Sequence, residues 1–511
     1  MLARVTLLAI HIGSAKAAFY YPDAQTYFLE HILVDNWGAY ASNFSSAITP
    51  CTRYVTQTGD AALKSGRTTA AQWIRVLFHD MITANVTTGT GGVDASIGFE
   101  TARGENSGSA FNDSFTFWRP FVNDAVSMAD LVALGTVMSS NLCGGRMMEY
   151  KAGRIDALSA GFTTGVPAPE TDLETTLLYF ERAGFDRTDA IGLTACGHTL
   201  GSVHHGGFPD VVDAKAVTPN NTNGGANFDS TRGVFDPLVV QEYVSWTGQK
   251  GGPLVTTGNI STQSDLRLYE SDNNATMESL LAQGAGFLDT CVSLMGRAID
   301  TVPSSVILGS PIAPTAIKPV NVTYDSGADG KLKLSGNIRT LTATGAFSPS
   351  LLDLSINGHH AGLTAEDSTG SSVFGTTAYF PFSVFGDLIR NAPLFSVSGT
   401  SFVLQGQTFV VPSMTTVTGA TVNTTIASSG HACRSLSIRI HSPTRQSGTL
   451  APKIAENHGD LTTVAPRVDG YGLCRAVLQL ADVPTGSIAV NALVSGAVVD
   501  TLFVNGGAAG W

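Results

Sequence analysis

Two textures of hydrophobic patterning divide this chain. Up to about residue 300, apolar side chains recur every three to four positions, the spacing that lines one face of an α-helix. Residues 72–84 form one such run, with Ile74, Leu77, Phe78 and Met81 on a single face. Residues 123–140, 170–183 (stopped by Gly184), 188–203 and 274–298 form others. Beyond about residue 303 the period shortens to two. Runs rich in Val, Thr, Ile and Ser at 331–339, 401–411, 435–441, 476–480 and 487–494 are separated by Gly, Asn and Asp. The pattern predicts a mainly α part followed by an all-β, sandwich-like part. The boundary is expected within 302–323, where prolines cluster, and no internal repeat stands out.

Length and charge sharpen this picture. At 511 residues the chain is long enough for two or three domains. The expected division is a secretory signal peptide at 1–17, a helical domain at 18–302, a linker at 303–322 and a β-rich domain at 323–511. The signal reading rests on Arg4, the apolar run 5–12 and the small-x-small site Ala15-Lys16-Ala17. A net charge of −12 excludes a nucleic-acid partner, which would need a basic stripe. No basic amphipathic run points to a membrane surface. Cys51, Cys143, Cys196, Cys291, Cys433 and Cys474 fit an oxidising compartment. They allow fifteen connectivities, of which sequence order and the domain split favour those with Cys433–Cys474. Acceptor sites for N-glycosylation begin at Asn43, Asn85, Asn112, Asn220, Asn259, Asn274, Asn321 and Asn423, which also fits a secreted protein.

The first candidate chemistry is Arg75-Val76-Leu77-Phe78-His79-Asp80. Four residues apart on a helix, Arg75 and His79 project from one face. A neutral imidazole beside a guanidinium suits cleavage of an O–O bond. The imidazole moves a proton from one peroxide oxygen to the other, and the guanidinium stabilises charge on the departing oxygen. Asn106 is positioned to accept the His79 Nδ1 proton and leave Nε2 free as base. Asp80 and the later Gly92, Asp94 and Ser96 offer carboxylate, carbonyl and hydroxyl oxygens, a ligand set for a first calcium ion.

The second is Leu193-Thr194-Ala195-Cys196-Gly197-His198-Thr199. His198 can ligate haem iron through Nε2, with Asp265 as the carboxylate partner of Nδ1. Thr199 with Asp229, Thr231, Val234 (through its carbonyl) and Asp236 would hold a second calcium ion. Each calcium would then sit next to one of the two histidines.

Together these strings resemble the plant-type haem peroxidase superfamily, its fungal secretory class most of all. The resemblance covers about residues 51–295. It includes Ser127-Met128-Ala129-Asp130-Leu131, Gly153-Arg154-Ile155-Asp156, the segment Pro167-Ala168-Pro169 at the access channel, and Asn141-Leu142-Cys143. It implies a two-lobed helical domain with haem b between a distal and a proximal helix, Phe78 beside the cofactor, and two calcium ions. It also implies the disulfide Cys51–Cys143, which leaves Cys196–Cys291. The implied activity is reduction of hydrogen peroxide and oxidation of small aromatic, phenolic-type donors at the haem edge through high-valent iron, by a secreted monomer.

Departures narrow the substrate. Manganese-oxidising relatives carry carboxylates where this chain has Thr68, Gln72 and His204, so manganese(II) oxidation is not expected. His204 has two readings, a partner for a haem propionate or a surface histidine. The surface tryptophan of lignin-type relatives is replaced by Leu193. The proximal tryptophan motif of intracellular relatives is absent from Gly207-Phe208-Pro209. Nothing in the resemblance accounts for the β-rich part. A competing reading makes that part the functional one, in a cell-wall or carbohydrate-binding protein, with His359-His360, Tyr379, Phe380 and Phe382 as its notable side chains and polysaccharide as its contact.

Overall fold

A computed structural model of the chain describes residues 19–57, 59–161, 165–326, 330–346, 348–367, 369–390 and 392–506. The stretch read as a signal peptide lies outside the described residues.

Among the described residues twelve α-helices, from Ala24–Val34 to Phe287–Ile299, gather most of their apolar faces into one core. The run at 72–84 forms the distal helix Thr69–Met81, and that at 123–140 forms Met128–Leu142. These two pack on each other and on Ala110–Trp118. Trp73 and Trp118 are fully buried between them, with ring centroids 5.4 Å apart. Burying one indole contributes roughly 4–6 kcal/mol of transfer free energy. Gly135 makes room for this packing, because a Cβ there would lie 2.7 Å from the Trp118 ring. Ser127 caps Met128–Leu142 by accepting the Asp130 amide at 3.0 Å. The chain forms Cys51–Cys143, Cys196–Cys291 and Cys433–Cys474, and the second ties helix Arg187–Gly197 to helix Phe287–Ile299.

Two helical runs end earlier than their periodicity suggests. The run 188–203 stops at Gly197, in the helix Arg187–Gly197, and Ser202–His204 pairs instead with Gly225–Asn227. Gly201 turns the chain with φ +91°, and a Cβ there would meet the Ala71 Cβ at 2.5 Å. The run 274–298 splits into Ala275–Ala282 and Phe287–Ile299 at Gly284, where φ is +55°.

The β-rich part holds two sandwiches rather than the single one expected. In the first, a five-stranded sheet ordered Trp37–Gly38, Gly370–Ser372, Gly375–Phe385, Leu332–Thr342, Ile317–Ser326 shares a core with a four-stranded sheet. In the second, Thr421–Ser428 and Tyr471–Gln479 face Leu436–Thr444 and Ser487–Val494. Among the described residues every pairing of strands is antiparallel, as in Thr421↔Gln479 and Leu436↔Val494. Gly406 interrupts the run 401–411, and Thr408–Val410 joins the second sandwich. Tyr379, Phe380 and Phe382 are buried at 2%, 0% and 6% exposure, so they form core and not a sugar platform. His359 and His360 are exposed, and His360 pairs with Asp353 at 2.9 Å.

The expected boundaries shift at both ends of the helical part. Strand Ile317–Ser326 begins inside the stretch read as a linker. The rest of that stretch is tied down: Ser304 N donates to Gly89 O, Gly309 N to Ala152 O and Ile312 N to Tyr150 O at 2.8–3.0 Å. Residues 19–38 bridge the two parts: Leu29, Ile32, Leu33 and Val34 join the helical core, while other side chains reach the β-rich part. Phe19 joins its core, the Tyr20 ring lies 5.2 Å from Phe503, and Trp37 pairs with Ser371. Between helix Ala24–Val34 and the first sheet sits a buried ionic cluster. Arg339 reaches Glu30 at 2.6 Å and Asp35 at 3.3 Å, and Lys318 reaches Glu30 at 2.6 Å. Burial alone would raise the Glu30 carboxyl, but Lys318 and Arg339 outweigh it and hold the group below its usual range.

Candidate active site

One cavity lies between the distal helix and the end of the proximal helix Arg187–Gly197. Arg75, Phe78 and His79 line it from one side and His198, Phe228 and Asp265 from the other. No described residue of the β-rich part is among its lining. Its walls are mainly apolar, including Leu77, Phe180, Leu193, Leu200, Leu268 and Met295. A slot of this kind with a few convergent polar groups is the usual form of a cofactor site.

On the distal side, His79 is 7% exposed. Its Nδ1 lies 2.7 Å from Asn106 Oδ1, so Nδ1–H donates to the amide oxygen. Asn106 is itself held by Nδ2–H donating to Glu100 O at 2.9 Å. Arg75 Nε–H points at His79 Nε2 at 3.4 Å, which fits an unprotonated Nε2. The guanidinium is steadied by the Ser107 and Glu105 carbonyls, both at 3.1 Å. Burial, and then the Arg75 charge, hold the His79 imidazole well below its ordinary pKa. A base that stays neutral through the physiological range is the result. Phe78 rests against Phe180, ring centroids 5.7 Å apart.

On the proximal side, Asp186 and Asp189 form a capping box that starts the helix, and His198 is its C-cap. His198 therefore leaves the helix at its end. Its Nδ1–H donates to Asp265 Oδ2 at 2.7 Å, and its ring stacks on Phe228 at 3.8 Å. The carboxylate sets the tautomer, leaving Nε2 as the free ring nitrogen. Leu193, in the lignin-type tryptophan position, is 6% exposed and faces the cavity.

The candidate calcium loops lie directly behind the two histidines. Asp80 is fully buried and accepts the Asp94, Ala95 and Ile97 amides at 2.8–3.1 Å. Asp94 Oδ1 accepts the Ser96 amide at 2.9 Å, while the buried Ser96 Oγ has no partner among the described residues. Burial, then repulsion from Asp94, pushes the Asp80 carboxyl well above its usual pKa. Gly92 adopts φ +100° where a Cβ would meet Thr301 O at 2.5 Å. In the second loop, Asp229 Oδ1 accepts the Thr231 amide at 2.7 Å, and Thr231 Oγ1 donates to Asp236 Oδ2 at 2.9 Å. Asp229 Oδ2 is buried without a partner among the described residues, and burial pushes its carboxyl up to about 7. Thr199 is fully buried and donates to Cys196 O; the Val234 side chain is exposed and its amide donates to Thr231 O. Among the described residues no three His, Cys, Asp or Glu side chains converge. Each loop instead pairs two carboxylates with hydroxyl oxygens, and their orphaned oxygens suit a hard cation.

The cavity also holds residues that the motifs did not single out. Phe228 precedes Asp229 of the second candidate calcium loop and carries no motif of its own. Arg67 carries no motif and is visible only once the cavity wall is assembled.

Residues 55–283 match the family model "Peroxidase". A WSC domain-containing protein of Arthroderma benhamiae is 38% identical over 321 residues, 62% of this chain and 42% of that protein. Manganese peroxidase H4 of Phanerodontia chrysosporium is 30% identical over 40% of this chain and 56% of that protein. Manganese peroxidase 2 of Phlebia radiata is 29% identical over 40% and 55%. This chain thus spans only about half the length of the relatives it matches. Its helical part matches the peroxidase family model and is similar to the fungal manganese peroxidases.

Proposed function

We propose that this chain is a secreted haem peroxidase that reduces hydrogen peroxide and oxidises small aromatic donors. The carrying observation is the single cavity with Arg75, His79 and Asn106 on one wall and the His198–Asp265 pair on the other. Haem b would fit this donor set, held through His198 Nε2, with Phe78 also lining its cavity. Bound haem would supply the iron that takes up the peroxide and the electrons that break its O–O bond. The chain supplies the rest. His79 Nε2 takes the proton from the oxygen near the cofactor and returns it to the departing one. Arg75 stabilises the negative charge that builds on the departing oxygen. Asn106 keeps the His79 proton on Nδ1, and Asp265 makes His198 more electron-rich.

Two calcium ions, held by Asp80, Gly92, Asp94 and Ser96 and by Thr199, Asp229, Thr231, Val234 and Asp236, would stiffen the ground beneath each histidine. Three disulfides and the leader-like start of the chain support an extracellular setting. Manganese(II) is left out as a substrate, despite the names of two relatives, because Thr68, Gln72 and His204 offer it no carboxylate.

The test is a visible spectrum of recombinant protein before and after one equivalent of peroxide, followed by guaiacol oxidation. A Soret band, its shift on peroxide, and a reaction slowed at least about 10²-fold by His79→Ala are expected. Protein without a Soret band, or a His79→Ala variant at full rate, would refute the assignment.

A further inference from the structure

Strands Leu436–Thr444 and Lys453–Gly459 of the second sandwich are antiparallel neighbours. The loop that joins them, residues 445–452, does not stay with its own sandwich. Ala451 is 2% exposed and belongs to the core formed by the helices, and Leu450 packs against that core. Burial of these apolar side chains favours the docked position. Hydrogen bonds fix the shape of the loop: the Ala451 amide donates to Thr449 Oγ1 at 3.1 Å, and Gln446 Nε2–H donates to Ala451 O at 3.0 Å.

The loop lands on the short helical turn Ser96–Phe99. A Cβ on Gly98 would lie 2.4 Å from Thr449 Oγ1 and 2.6 Å from the Phe115 ring, so Gly98 is clamped between the loop and helix Ala110–Trp118. A Cβ on Gly448, where φ is +85°, would lie 3.4 Å from the Phe99 ring. The residues on either side of this turn hold the distal base. Ala95, just before it, has φ +59°, a conformation that a non-glycine residue keeps only where its surroundings impose it. Its amide and that of Ile97 donate to Asp80 at 2.8 and 3.1 Å. Just after the turn, Glu100 O accepts Asn106 Nδ2–H at 2.9 Å, and Asn106 Oδ1 accepts His79 Nδ1–H at 2.7 Å.

We propose that loop 445–452 is a strap from the β-rich part that positions the distal base, with Thr449 and Leu450 as positioning residues that act on His79 through Glu100 and Asn106. While docked, the strap keeps the Glu100 carbonyl where it holds the Asn106 amide. The amide oxygen then faces the imidazole and keeps its proton on Nδ1. Undocked, residues 96–100 lose the clamp at Gly98, and the amide loses the bond that orients it. The β-rich part would thus set the tautomer of the base although no described residue of it lines the cavity. Only the kinetic consequence rests on the peroxidase reading.

The experiment is a double-mutant cycle on the full chain between Leu450→Asp, which drives the strap off the apolar core, and Asn106→Leu. Circular dichroism and a melting curve check that each variant is folded, and Leu450→Ala takes the place of Leu450→Asp if the charged variant is not. Nitrogen NMR of histidine-labelled protein without haem reads the tautomer, with the His79 signals assigned by their loss in His79→Ala. Wild type should carry the proton on Nδ1, and the Leu450 variant should shift population to Nε2. With haem and excess calcium present, the Leu450 variant should react with peroxide about 2- to 30-fold more slowly than wild type. The double variant should be no slower than Asn106→Leu alone, because both changes act through one amide. An unchanged tautomer ratio, or slowing that multiplies in the double variant, would overturn the strap. Protein that takes up no haem would refute the peroxidase reading instead, and the tautomer ratio would still decide the strap.

Discussion

Asn106→Leu isolates the contribution of one hydrogen bond to the proposed proton transfer. Leucine keeps the branch at Cγ and removes both polar atoms. The wild-type amide is pinned at each end, at 2.7 Å to His79 Nδ1 and 2.9 Å to Glu100 O, in a site only 1% exposed. Without Oδ1, a proton on Nδ1 is buried unsatisfied, which disfavours that tautomer by about 1–3 kcal/mol. The imidazole then carries its proton on Nε2 and cannot accept one from peroxide. At 1.36 kcal/mol per decade the reaction with peroxide should slow roughly 5- to 150-fold. Stopped-flow absorbance at the Soret band measures this directly, and a haem titration shows that the cofactor is still bound. The pH dependence separates tautomer from charge. The Asn106 bond is the one influence that raises the His79 pKa, against burial and Arg75. Its removal therefore moves that pKa further down, and the slowing should be constant through neutral pH. A variant at wild-type rate with intact haem, or a defect that disappears as pH rises, would refute the reasoning.

The other expectations concern stability. Excess EGTA should lower the melting temperature and hasten haem loss, by about 2.7 kcal/mol for each site filled at 100 times its Kd; an unchanged melting curve would count against the calcium assignment. Arg339→Met should destabilise the junction by about 3–5 kcal/mol, since it leaves Glu30 and Asp35 buried with one cation fewer. Denaturant titration with proteolysis near residues 303–316 reads this, and a change below about 1 kcal/mol would sink it. His441 sits 2.7 Å from Asp124 and 3.2 Å from Glu456, whose other oxygen faces His458 at 2.7 Å and Arg439 at 3.9 Å. The nearby Asp124 carboxylate raises the His441 pKa against burial. Its stabilising effect is therefore complete below the unfolded value of about 6.5 and fades as pH rises through the higher folded value. His441→Gln should flatten stability against pH in that window, and an unchanged profile would remove the role.

What could be read from the sequence depended on whether a residue's partners were local. Arg75 and His79 share one helical face, so their juxtaposition follows from the 3.6 period alone. Asn106 and Asp265 were legible through motif order, and both make their hydrogen bonds at 2.7 Å. Helix Ala24–Val34 escaped the pattern because its buried face includes Glu30, with Asp35 just beyond its end. Those carboxylates are neutralised by Lys318 and Arg339, roughly 300 positions away, and no local window contains that compensation. The two sandwiches read as one because the break at Gly406 looks like any other strand-separating glycine. Tyr379 shows the same limit: its hydroxyl donates to Asp35 at 2.9 Å inside the interface, which a strand alternation cannot foretell. Arg67 was missed because a lone unpaired arginine has no sequence signature.

The junction between the two parts bears on the chemistry. A flexible linker would have let the β-rich part swing freely, yet residues 304, 309 and 312 are hydrogen-bonded onto the helical part. Just before them, Thr301 O accepts the Val93 amide at 2.8 Å, and Gly92 packs on the same carbonyl. Gly92 and Val93 lead directly into Asp94 and Ala95, whose amides hold Asp80, the neighbour of His79. A continuous set of short contacts thus runs from the β-rich part to the distal base. Since packed segments shift together rather than stretch, strain at the junction should reach the imidazole through this loop and not through the cavity, to which no described residue of the β-rich part contributes a wall. The β-rich part is therefore better placed to set the rigidity of the distal side than to select what enters it.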